Sequence, residues 1–179
     1  MSILDKVAAA VTPMASEEAR AKAHAEARAQ ARPGDWLSQV LDHHEQIFGA
    51  FETLKATKDT ITRKKAQMNL AALLTAHSIA EENVLYPALA HEHEKAHATT
   101  AYAEQSAAKM NLGLLDYLPP MSQDYLDKLE HIEGAVLQHI YQEEHGWFLD
   151  LKNKAQDQVT LAGRYAQEFA RYMDGSPAD

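Results

Sequence analysis

HSIAEENVLYP (residues 77–87) and HIYQEE (residues 139–144) share one phrase: a histidine, then glutamates four and five residues later. Each phrase sits inside an apolar pattern of helical period. Residues four apart lie on one face of a helix, so each segment sets a nitrogen beside an oxygen. The spacing His-x-x-x-Glu alone is common by chance. The extended form His-x-x-x-Glu-Glu is expected well under once and occurs twice. Burying such groups costs free energy unless something holds them, and a metal ion is the usual holder.

The phases of the helices decide whether these groups point inward. Leu37, Val40, Leu41, Ile47, Phe51 and Leu54 form an apolar stripe, and His44 completes it near its centre. His43 is turned roughly 100° away, to the stripe's edge. His77 and Glu81 lie within the stripe of Leu70, Leu73, Leu74 and Val84, and Glu82 points away. His139 and Glu143 lie within that of Leu129, Ile132, Val136, Ile140 and Trp147, with Glu144 and His145 outside it. Between these two segments, Ala98, Ala101, Ala108, Leu112 and Leu115 lack one member of their stripe, and Gln105 fills the place. Four helices thus each bring a polar side chain to an apolar face, a layout by which helical bundles build metal sites. A lone histidine there reads first as a hydrogen-bonded core residue, but His77, Glu81, His139 and Glu143 together read as ligands.

Around these stripes the chain reads as all-α. Helices are expected over about 35–56, 61–90, 94–116 and 122–153, with a last one over 156–173. Asp35 and Ser122 suit N-caps, and Pro119-Pro120 separates the third and fourth. Pro87 is expected to kink or end the second helix. Short connections make an antiparallel up-down-up-down four-helix bundle, residues 35–154, followed by a C-terminal helix and polar tail, 155–179. Residues 1–34 read as a helical extension: one helix over 3–14 and another from Ser16 to about Arg32. The second carries only alanine and polar or charged side chains. It is expected to be an exposed arm, or the contact of a homo-oligomer.

Composition narrows the chemistry. The 179-residue chain has no cysteine and a formal charge of −9. Any metal must therefore be held by histidine, carboxylate or amide oxygen. The acidic balance argues against nucleic acid or an anionic membrane as partner. The absence of a spanning apolar run or a signal segment points to the cytoplasm. The HEHEKAH stretch (residues 91–97) reads as a solvated helix start, and His24 and His131 as solvated side chains. Tyr102 borders the Gln105 face and reads as packing or as a hydrogen-bond partner of a ligand.

From Asp35 to about Leu151 these residues resemble a hemerythrin-like, HHE cation-binding domain. The resemblance rests on Asp42-His43-His44, on the whole of residues 77–87 including Tyr86 and Pro87, and on residues 139–144 followed by Phe148. It implies a four-helix bundle with a non-haem di-iron centre, Glu81 and Glu143 bridging, and His44, His77 and His139 as terminal ligands. His44 fits better than His43, because Ile47, Phe51 and Leu54 follow it three, seven and ten residues on. The family's third-helix Glu-His pair is here Glu104-Gln105. A neutral amide is a weak ligand, which implies that one of the two metal positions is depleted.

Three functions fit this reading. The first is a metal protein that senses, stores or binds oxygen, nitric oxide or peroxide, with iron the expected metal and zinc or manganese suited to the same donors. The second is a di-iron oxidoreductase acting on peroxide or oxygen, with Tyr102 or Glu104 as proton donor or base. The third is a metal-free structural bundle.

Overall fold

The computed structural model describes residues 14–92 and 95–174. Most of the helix expected over 3–14, His93 and the polar tail lie outside the described residues. Among the described residues, eight α-helical segments follow in order: α1 (Glu17–Gln30), α2 (Trp36–Ala56), α3 (Thr60–Ala80), α4 (Tyr86–His91), α5 (Lys95–Leu114), α6 (Gln123–Gln142), α7 (Phe148–Lys154) and α8 (Gln158–Asp174). Among the described residues there is no strand. Side chains cap the starts: Asp35 accepts from the Ser38 amide at 2.7 Å, Asp59 from Thr62 at 2.9 Å and Ser122 from Tyr125 at 3.2 Å. Gly34, at φ 80°, makes the turn between α1 and α2 that only a residue free of Cβ makes without strain.

The second and fourth expected helices run through, but each contains a π turn. Glu81–Leu85 joins α3 to α4, and Glu143–Trp147 joins α6 to α7. Pro87 therefore does not end the second helix. It lacks the N–H that an α-helix would bond to Asn83, and the wider turn just before it absorbs the loss, with the Tyr86 amide bonding to the Glu81 carbonyl. Both π turns begin at the glutamate four residues after the histidine.

The bundle interior is two apolar clusters with a polar layer between them. Trp36, Leu41, Leu85, Leu89, Phe148 and Leu151 belong to one cluster. Ile47, Phe51, Leu70, Leu112, Leu129 and Ile132 belong to the other. His44, His77, Glu81, Gln105, His139 and Glu143 are all buried.

The N-terminal extension differs from expectation, and the last helix forms where expected. α1 is not an exposed arm: it lies against α2 and the Glu143–Trp147 turn, with Ala23 and Ala27 buried. Its polar side chains make the attachment. His24 contacts Glu144 and Glu45, and Arg28 pairs with Asp42 and Glu45, each at 2.7 Å. His24 is thus not a solvated side chain, and Glu144, read as pointing out of the bundle, is buried beneath α1. α8 packs along α3 and α2 and buries Tyr165 completely.

Candidate metal centre

His44, His77, Glu81 and Glu143 each bring one ligand-type atom to a common point, all within 4.8 Å of one another. α2 supplies His44, α3 supplies His77, and the first residues of the two π turns supply the carboxylates. His44 Nε2 lies 3.4 Å from Glu143 Oε2 and 3.9 Å from Glu81 Oε1. None of these three atoms has a hydrogen-bond partner, although all are buried. An unpaired buried polar atom costs about 1–3 kcal/mol, so three converging on one point call for a partner, which in the metal-free layer is the proton that pairs His44 with Glu143. A cation suits this donor set of two imidazoles and two carboxylates.

The far nitrogens of the histidines are all anchored. His44 Nδ1 is 2.8 Å from Glu144 Oε1, His77 Nδ1 is 3.2 Å from the Tyr165 hydroxyl, and His139 Nδ1 is 2.8 Å from Glu104 Oε2. With Nδ1 donating, Nε2 is left as a lone-pair donor toward the layer's interior, which is how a ligand histidine is held. The Tyr165 hydroxyl also meets His43 Nδ1 at 2.9 Å, so His77, Tyr165 and His43 form one hydrogen-bonded chain.

The Hemerythrin HHE cation binding domain family matches residues 37–150. The chain belongs to this family. A DNA nickase from Nostoc sp. is 31% identical over 126 residues, which is 70% of this chain and 35% of the relative. The chain thus spans about a third of that protein's length. No solved structure matches it significantly. For this hemerythrin domain, the family and the buried His/Glu cluster together point to metal binding. Among the described residues, no helix is long and apolar enough to cross a membrane.

The remaining residues singled out from the sequence fall at graded distances from this centre. His139 stands one step away, with Nε2 3.2 Å from Glu143 Oε1. Gln105 faces the layer, and its amide nitrogen donates to Glu81 Oε2 while its Oε1 has no partner. Glu104 is at the rim, on the outer side of His139. His43 lies off the centre, its ring stacked on Phe169 at 3.6 Å. Tyr102 does not reach it; its hydroxyl donates to the Glu82 carbonyl at 2.6 Å. His91 is exposed, and His97 stacks on Trp147.

Four residues of the site were not legible as such: Glu144, Tyr165, His24 and Tyr86. The Tyr86 hydroxyl lies 2.8 Å from Glu143 Oε1, 3.2 Å from Glu81 Oε2 and 3.1 Å from His139 Nε2. Tyr86 is part of the quoted 77–87 phrase, but a straight helix would turn it well away from Glu81. The π turn restores the alignment, because it stacks residue i+5 above residue i.

Protons settle the charges of the metal-free layer. Burial opposes charge on His44, but its acidic neighbours Glu143 and Glu144 outweigh this and push it up to about 10. Burial also opposes charge on His139, and Glu143 and Glu104 push it to about 10. Burial lowers His77 well below the usual range, reinforced by cationic His44. For Glu81, burial and the negative Glu143 raise the carboxyl well above its usual range. Burial acts the same way on Glu143, but the two cationic histidines outweigh it and hold the carboxyl low.

Proposed function

We propose that this domain holds a non-haem iron ion through His44, His77, Glu81 and Glu143, and uses it to bind a small ligand such as dioxygen, nitric oxide or peroxide, for sensing or storage. The observation that carries the reading is the convergence of three unpartnered buried atoms, His44 Nε2, Glu81 Oε1 and Glu143 Oε2. The donors are those iron takes, and zinc or manganese would accept the same set. When bound, iron supplies an open coordination position and redox chemistry to a small ligand.

The chain's own residues set the terms. Glu144 and Tyr165 fix the ring orientations of His44 and His77. A cavity of about 20 Å³ adjoins the cluster, lined by Leu74, His77, Gln105, Val136, His139 and Ile140. That is room for one water-sized molecule and not for an organic substrate. The DNA in the name of the Nostoc relative does not enter this reading: the chain spans 35% of that protein, and a charge of −9 does not favour a polyanion.

The test is elemental analysis of protein grown in iron-rich medium, then optical spectra before and after nitric oxide and peroxide. The expected result is bound iron whose spectrum changes with the added ligand. Equal metal content in wild type and His77→Ala would overturn the assignment.

A further inference from the structure

The polar layer contains more ligand-type atoms than one ion uses. On one side, His44 Nε2, Glu81 Oε1 and Glu143 Oε2 are open. On the other side Gln105 Oε1 is also unpartnered, but each carboxylate's second oxygen already has a donor. Gln105 Nε2 donates to Glu81 Oε2, and the Tyr86 hydroxyl donates to Glu143 Oε1 at 2.8 Å. The same hydroxyl stands 3.1 Å from His139 Nε2, the nitrogen that would serve a second ion. Tyr86 is wholly buried and held by its π turn, with its ring edge-on to Tyr102 at 5.2 Å. A phenol in this position fills the space between His139 and the two glutamates.

We propose that the centre is mononuclear, with the Tyr86 hydroxyl and the Gln105 carboxamide standing where a second metal ion would lie and leaving His139 to hold Tyr86 rather than metal. This rests on the metal-binding reading above and sharpens the expectation, drawn from resemblance, that one of two metal positions is depleted. Charge supports it independently. One divalent ion is neutralised by Glu81 and Glu143. A second would add two positive charges to a buried layer that has no further carboxylate at its centre, since Glu144 is engaged by His44 and His24 and Glu104 sits at the rim. Donation from Tyr86 and Gln105 also engages the second oxygen of each glutamate, and Glu81 Oε2 lies 3.2 Å from His77 Nε2 as well.

The test is ferrous loading without oxygen, with iron counted per folded chain, Mössbauer spectroscopy for exchange coupling, and electron paramagnetic resonance of the nitric oxide adduct. The wild type is expected to hold one iron per chain, with the signal of an isolated ion. The double variant Tyr86→Phe/Gln105→His is expected to hold two, because it removes both donors and adds an imidazole. Two coupled ions in the wild type would overturn the inference, whether or not the variant folds. One ion in both proteins would also overturn it, since Tyr86 and Gln105 would not be what excludes the second. No iron in either protein is a different failure: it would remove the metal-binding reading itself.

Discussion

Tyr165, on the last helix, sets its hydroxyl 3.2 Å from Nδ1 of His77, 88 residues earlier in the chain. For His77 to offer a lone pair at Nε2, its Nδ1 must carry the proton and donate to the Tyr165 oxygen. Tyr165 then donates onward to His43 Nδ1, 2.9 Å away. The C-terminal helix thereby anchors the ring of a buried histidine in the candidate centre.

Tyr165→Phe removes that acceptor and keeps the ring that packs between α8 and the bundle. Losing such an outer partner of a ligand histidine costs about 10–100-fold in metal affinity. Stability should fall by only about 1 kcal/mol. Competition against a chelator of known affinity measures the first, and denaturant unfolding of the metal-free protein the second. Unchanged affinity would show that His77 does not need this anchor.

Neighbouring histidines should behave differently. His44→Ala removes an unpartnered nitrogen from the middle of the cluster and should abolish most metal uptake. His43→Ala removes a ring stacked on Phe169 and Tyr165, so it should cost stability yet leave metal content near wild type. Metal titration of both variants decides, and the reverse order would mean the α2 face has been assigned wrongly.

How far the sequence reached follows from where its signals are. Helical period and the caps at Asp35 and Ser122 place the main helices, because stripes of leucine, isoleucine and phenylalanine leave a strong pattern. The same stripes expose His44, His77, Glu81, Gln105, His139 and Glu143 as polar members of apolar faces. The packing of α1 left no such pattern. Its buried residues are Ala23 and Ala27, too small to mark a stripe, and its anchors are ion pairs with residues far along the chain. Glu144 went unrecognised for that reason, since it is buried only because α1 covers it. Tyr86 was lost to geometry: straight-helix phase misplaces any residue on the far side of a π turn.

The buried end of α1 predicts a graded series. Glu144 Oε1 is 2.8 Å from His44 Nδ1 and 2.9 Å from His24 Nδ1. Glu144→Ala should weaken metal binding about 10–100-fold by freeing the His44 ring. His24→Ala should weaken it less, because Glu144 keeps its bond to His44. Arg28→Ala should leave it unchanged, since its pairs with Asp42 and Glu45 are largely exposed and worth about 1 kcal/mol or less. Chelator competition on the three variants gives the ranking. An equal loss in all three would mean that α1 acts through general stability.

The last prediction concerns pH. His44 is pushed up to about 10 in the metal-free layer, chiefly by Glu143 and Glu144 acting against burial, and His139 likewise by Glu143 and Glu104. A histidine with a raised folded-state pKa stabilises the fold fully below the unfolded value of about 6.5, and that contribution is lost as pH rises toward 10. The metal-free protein should therefore lose stability across pH 6.5–10, by at most about 1.4 kcal/mol per pH unit per group. Metal binding has the opposite dependence. His44 must give up its proton to bind through Nε2, and Glu81, raised well above its usual range, must ionise. Metal uptake should release protons near neutral pH, and affinity should rise with pH. Calorimetric titration in buffers of different ionisation enthalpy counts the protons, and thermal melts of metal-free and loaded protein follow stability. Uptake without proton release would mean that the metal does not displace the proton on His44, and hence that His44 is not a ligand.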